Sequence, residues 1–320
     1  MKLVFCGTPR FAVPALEALI AAGHEIALVV TQPDRPVGRS KELTAPAVKI
    51  AALAANLDVT QPEKIRNNEE FHSRLETIAP DAIIVVAYGR LIPPWMLALP
   101  RLGCINLHAS LLPRYRGAAP IQWAVAMGEV FTGNTTMLLE EDLDTGPILL
   151  QQALAIGGEQ TAAGLFDVLA EGGAPLVVKT LAGLEDGSIE PKPQNHAGAT
   201  LAPILTREDG RMNFVARTAT ELKNRWRGFQ PWPGAFATLD GKKLIVHRLV
   251  VADASSFAAS ADAGPGQIHI EGERLFAACA GNTWLELLEV QLEGKKRLTA
   301  AEFLRGNTLV HGARLGAPAE

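Results

Sequence analysis

Three short runs that are apolar on both faces, LVFC at 3–6, EIALVVT at 25–31 and DAIIVVAYG at 81–89, constrain this chain more than any other feature. A strand with no polar face must be covered on both sides, which is the condition of a parallel sheet with helices packed above and below it. The segments between the runs read as helices, at 11–22, 46–56 and 68–79. Pro14 suits the first turn of the first helix and Gly23 its end. CINLHAS at 104–110, a helix at 120–128, strands TTMLLEE and PILLQ, and a helix at 161–184 complete the pattern. Residues 1–188 are therefore expected to form a doubly wound, mostly parallel α/β domain.

The pattern stops in the stretch DGSIEPKPQNHAGATLAP, where prolines interrupt and no periodic apolar face exists. Residues 189–206 read as an interdomain connector. Beyond it a helix at 218–226 precedes short strand-like runs, FATL, KLIVHRLVV, GQIHI and WLELLEV, separated by Gly- and Asp-containing turns. That spacing suggests a small β-barrel or sandwich over 207–310, with 311–320 as a tail. A length of 320 residues accommodates two such domains.

Composition excludes several classes. Charges of 30 basic and 34 acidic residues give a net of −4, so the whole molecule is no polycation. The balance is uneven, however: residues 207–248 hold 9 basic against 4 acidic side chains, a local surplus suited to phosphates. Three scattered cysteines, Cys6, Cys104 and Cys279, form neither a disulfide framework nor a metal motif. The N-terminal apolar run ends at Gly7 and Pro9, too early for a secretory leader, and no stretch is long enough to span a membrane. The expectation is a cytoplasmic protein with no membrane partner, and nothing in the sequence demands more than a monomer. The turn after the first run is G-T-P-R-F, neither G-x-G-x-x-G nor a Walker sequence, so no nucleotide cofactor is expected.

A parallel sheet without a phosphate loop still binds ligands at the carboxyl ends of its strands. In CINLHAS, period-two alternation places Asn106 and His108 on one face. One account is a capped structural histidine beside a turn residue. The other is a pair of donors aimed into one space, favoured by the Pro-, Arg- and Gly-containing turn that follows. Between strands further on, LEEDLDTGPILLQ at 139–151 carries four acids. Asp144, before Thr145 and Gly146, is best placed to turn inward, and Glu140 to Asp142 read as solvated. An amide, an imidazole and a carboxylate suit acyl transfer: donors steady an oxyanion, and a carboxylate orients and charges an imidazole. No Ser or Cys pairs with His108, so the nucleophile belongs to the substrate. Two further segments carry cations: TQPDRPVGRSKEL, with Arg35, Arg39 and Lys41, reads either as a solvated loop or as a phosphate probe, and ELKNRWRGFQPWPGAF, where Lys223, Arg225 and Arg227 interleave with Trp226, Phe229 and Trp232, suits nucleic acid. Trp232 can equally be a packing anchor. The remaining histidines read as structural or surface groups.

NLHASLLPRYRGAAP, preceded by VVAYGRLIPP and followed by the DLDTG loop, resembles the formyltransferases that use 10-formyltetrahydrofolate. VFCGTPRFA, TQPDRPVGRSKEL, GFQPWPGAF and GKKRLTAAEFLRG narrow the likeness to the methionyl-tRNA formyltransferase branch, over nearly the whole chain. The resemblance implies a Rossmann-like catalytic domain, an OB-like tRNA-binding domain, and catalytic residues at Asn106, His108 and Asp144. It implies a folate site lined by Ser110, Leu111, Leu112 and Pro113, and a basic loop at 32–43 that approaches the acceptor arm of charged initiator tRNA. It also implies 10-formyltetrahydrofolate as an activated co-substrate, with no metal and no nucleotide. Arg10 departs from the branch, where an acidic residue usually follows Gly-Thr-Pro. Two alternatives stand beside this reading: the same chemistry on a sugar-nucleotide or small ribonucleotide amine, and a non-catalytic nucleic-acid-binding protein.

Overall fold

The computed structural model describes residues 1–37, 42–258, 263–309 and 312–316. Its chain divides into two compact units, one comprising Met1–Ile121, Val130–Ile156 and Gly164–Pro203, the other Gln122–Glu129, Gly157–Ala163 and Ile204–Glu320.

The chain begins with β1 (Lys2–Gly7), α1 (Val13–Ala21) and β2 (Glu25–Val30), then β3 (Arg35–Val37) paired antiparallel with β4 (Glu42–Thr44). There follow α2 (Ala47–Ala54), β5 (Val59–Thr60), α3 (Glu69–Ile78), β6 (Ala82–Val86), α4 (Pro94–Leu97), β7 (Cys104–His108), α5 (Pro120–Ala126), β8 (Phe131–Leu138), β9 (Ile148–Ala155) and α6 (Ala162–Glu185). Among the described residues, one seven-stranded sheet runs β5-β2-β1-β6-β7-β8-β9. Pairings from β5 through β7 are parallel, and β8 and β9 run antiparallel at the far side. This is the doubly wound, Rossmann-like sheet expected. Its central strands are buried throughout because both faces are covered: Leu3, Val4, Phe5 and Cys6 of β1 have no exposed surface.

Local chemistry sets several helix boundaries. The Asn68 side chain accepts from Phe71 N at 3.0 Å and starts α3. Strand β8 begins four residues before the apolar run TTMLLEE. Two of its buried polar side chains meet α6, with Asn134 Nδ2 donating to Leu169 O at 2.8 Å and Thr136 Oγ1 lying 2.7 Å from Thr180 Oγ1, while Thr132 Oγ1 and Asn134 Oδ1 find no partner among the described residues.

The second unit contains α7 (Ala219–Gly228), β10 (Phe236–Leu239), β11 (Lys242–Ala252), β12 (Ile268–Glu271), β13 (Arg274–Cys279), β14 (Thr283–Leu292), β15 (Leu298–Thr299) and α8 (Ala300–Gly306). Its antiparallel sheet runs β10-β11-β14-β13-β12, with β15 on β14, and is the small OB-like domain expected. Register shifts around Arg248 in β11 bend the central pair. The core includes Leu222, Leu244, Val246, Leu285, Leu287 and Phe303.

The connector differs from expectation. Residues 189–203 belong to the first unit: Lys192 pairs with Ile148, and Leu201 with Arg116. No helix among the described residues is long and apolar enough to cross a membrane.

Candidate active site

β7 lies between β6 and β8, with Asn106 opposite Val85 on one side and Met137 on the other. Leu107 points at α6, since a Cβ on Gly173 would come 2.7 Å from its Cδ2. Alternation therefore turns Asn106 and His108 to the opposite face. Both are buried, at 8% and 6% exposure. The Asn106 carboxamide has no hydrogen-bond partner among the described residues. His108 Nε2 donates to the Tyr115 carbonyl at 2.9 Å, a carbonyl being able only to accept. His108 Nδ1 stands 3.7 Å from Asp144 Oδ2, too far for a hydrogen bond but within ion-pair reach. Both ring nitrogens thus face acceptors.

Of the four acids at 139–151, only Asp144 turns inward; Glu140, Glu141 and Asp142 are exposed. Its backbone has φ of 52°, and its Oδ2 accepts from Gly117 N at 2.8 Å. Gly117 has φ of 119°, and a Cβ there would lie 2.7 Å from Ala202 O, so a side chain at this position displaces the backbone that holds Asp144. The Asp144 turn is held in addition by Gln194, whose Nε2 donates to Asp144 O at 2.9 Å and Gly146 O at 2.7 Å. Gln194 sits in the stretch read as a connector. No spacing or composition marks it, and only its fold position gives it a partner.

The Ser110–Pro113 segment is anchored from below. Thr135 Oγ1 donates to Ser110 O at 2.6 Å and accepts from Leu112 N at 3.2 Å, and Gln151 Nε2 reaches Leu112 O at 2.9 Å. Ser110 is fully buried with its hydroxyl on Arg114 O, and Leu112 is buried too. Only Leu111 and Pro113 keep side-chain surface.

The basic candidates separate. Arg35 is exposed, 3.6 Å from Glu63. Arg39 and Lys41 lie outside the described residues. Lys223 is paired with Glu159. Arg225 donates to Asp209 O at 3.0 Å, with its guanidinium 4.8 Å from the Phe229 ring centroid. Arg227 is 4% exposed and donates to Gly157 O, Gln160 O and Asn224 Oδ1 at 2.8–3.0 Å. Burial lowers the pKa of both arginines. Of the three, Arg227 is the one whose buried guanidinium is taken up by the chain's own carbonyls, whereas Lys223 and Arg225 stay partly exposed. Trp232 is half exposed, which argues against a packing anchor. Arg10 pairs with Asp167 of α6.

Comparison with known proteins adds the family. Residues 1–181 match the formyl transferase family and residues 204–308 the formyl transferase C-terminal domain. The methionyl-tRNA formyltransferase of Acidobacterium capsulatum is 64% identical over 317 residues, covering 99% of this chain and 100% of that protein. That of Koribacter versatilis is 59% identical over 306 residues, 96% of each chain. The fold is shared with an N-formyltransferase from Helicobacter canadensis solved with folinic acid and dTDP-3-aminofucose. That likeness has a TM-score of 0.64 at 17% identity and covers 90% of this chain and 98% of that one. With formyl transferase domains in both halves and full-length relatives that share one activity, the chain belongs to the methionyl-tRNA formyltransferase family.

Proposed function

We propose that this chain transfers the formyl group of 10-formyltetrahydrofolate to the α-amino group of methionine esterified to initiator tRNA, acting as a monomer in the cytoplasm. One observation carries the placement of the chemistry. An unpartnered amide, Asn106, shares a strand face with His108, whose free ring nitrogen stands 3.7 Å from the Asp144 carboxylate.

The substrate amine attacks the formyl carbon in its neutral form, and amino groups with pKa near ~8 leave a substantial neutral fraction at physiological pH. A C–N bond forms, the carbonyl oxygen takes negative charge, and the bond to the folate nitrogen then breaks. Asn106 Nδ2 and His108 Nδ1 are the donors that steady this charge, each worth roughly 3 kcal/mol. His108 Nε2 is already committed to Tyr115 O, which fixes the ring plane and leaves Nδ1 for the reaction. Asp144, held by Gly117 N, orients His108. The Asp144 carboxylate takes the proton lost by the amine, and that proton then passes to the departing folate nitrogen. Leu111 and Pro113 line the folate site, and Arg35 faces tRNA phosphates. The formyl donor is already activated, so the reaction survives EDTA.

Charged initiator tRNA, charged elongator tRNA and a sugar-nucleotide amine, offered in parallel with a radiolabelled formyl donor, test the assignment. Label is expected on the initiator methionine. Label on the sugar nucleotide instead, or on no acceptor, overturns it.

A further inference from the structure

Gln194 is 5% exposed, and every polar position of its carboxamide is used. Nε2 donates to Asp144 O at 2.9 Å and to Gly146 O at 2.7 Å. Oε1 accepts from Arg116 Nε at 3.1 Å and Nη2 at 2.7 Å. The orientation of the amide is forced. Turned over, its oxygen would face two carbonyls and its NH2 a guanidinium that can only donate. Arg116 is buried as well and is held by its backbone, with its N–H on Thr200 O at 2.8 Å and its carbonyl accepting from Ala202 N at 2.7 Å. Its Nη2 also reaches His196 Nδ1 at 3.2 Å.

These bonds close a circuit. Asp144 Oδ2 is tied to Gly117 N, Gly117 follows Arg116 in the chain, Arg116 grips Gln194, and Gln194 returns to the carbonyl of Asp144. A residue whose φ is 52° keeps that conformation only where its surroundings over-determine it. The circuit supplies that constraint.

We propose that Gln194, oriented by Arg116, is a positioning residue for formyl transfer. By gripping the carbonyls on either side of Thr145 it fixes the turn that aims the Asp144 carboxylate at Gly117 N and His108 Nδ1. The inference rests on the reading that Asp144 takes part in the chemistry.

The test compares Gln194→Ala, Gln194→Glu, Asp144→Asn and the double variants, with kcat and KM measured for both substrates beside the thermal midpoint. Gln194→Glu keeps the volume and the Arg116 contact but offers the two carbonyls no donor, so it serves if the alanine variant fails to fold. Expected is a fall in kcat of ~10–100-fold, the scale of a misplaced catalytic group, with KM for both substrates within about threefold of the parent. In the Asp144→Asn background the Gln194 substitutions are expected to cost nothing further, because the effect runs through Asp144. Parental kcat in Gln194→Glu, or a loss that recurs in full without the carboxylate, overturns the inference. Parental turnover in Asp144→Asn overturns the reading of the site itself. An inactive Asp144→Asn beside a fully active Gln194→Glu overturns only the role of Gln194.

Discussion

At the scale of single residues, the site is a matter of which atoms are already spent. His108 gives Nε2 to a carbonyl and keeps Nδ1; Asn106 gives nothing away; Asp144 accepts from one backbone N–H and faces the ring. His108→Ala is expected to lower kcat by roughly 10²-fold, the loss of one oxyanion donor, while tRNA affinity measured by equilibrium binding changes little. Equal losses in both would reverse the role. Gly117→Ala places a methyl against Ala202 O at a positive φ. It is expected to cost about 2 kcal/mol in denaturant unfolding and to lower turnover with it, since the N–H that holds Asp144 moves. Strand alternation alone pairs Asn106 with His108 on one face, whereas Asp144, in a loop, is marked only by the Thr145–Gly146 that follows it. Tyr115, Gly117 and Gln194 were not legible, because a main-chain carbonyl, a main-chain N–H and a lone glutamine carry no pattern in sequence.

Elements follow their local signals except where tertiary partners intervene. Thr218 and Thr299 form capping boxes with Glu221 and Glu302, and the backbone N–H and hydroxyl of each threonine hold its carboxylate below its ordinary pKa. A lowered carboxyl pKa adds stability above the ordinary carboxylate range, and that stability is lost as the pH falls through the folded value, below about 4.3. Thr299→Ala is expected to cost about 1 kcal/mol at neutral pH by thermal unfolding, and the difference from the parent shrinks in acid. The T-x-x-E signature of α8 is present in LTAAEF, between the strand-like runs that the sequence marks more plainly. Strand β13, RLFAAC, offered no alternation to find. Arg227, expected to contact tRNA, caps carbonyls at 157 and 160 instead. Arg227→Ala is therefore expected to lower the thermal midpoint and to leave the salt dependence of tRNA binding unchanged.

Across the whole molecule, the three cysteines are core groups, none more than 3% exposed, and burial pushes Cys104 and Cys279 up to about 12. The folded chain holds these protons more tightly than the unfolded chain, so folding stability is expected to decline as pH rises above about 8.5. Native protein should not react with a thiol reagent at neutral pH until denatured. The alternation of apolar runs and helical segments determined the doubly wound sheet, and the placement of polar residues at the ends of its strands determined where a site lies. Periodicity reports which face an element buries, so it recovered β1, β2, β6 and β7. It is silent on which distant segments meet. Only tertiary structure decided that 189–203 folds back on the first unit, that Gln194 reaches the Asp144 turn, and that Arg227 bonds carbonyls at 157 and 160. Those outcomes depend on hydrogen bonds between residues tens of positions apart, and such a bond is satisfied by geometry that no local stretch of sequence encodes.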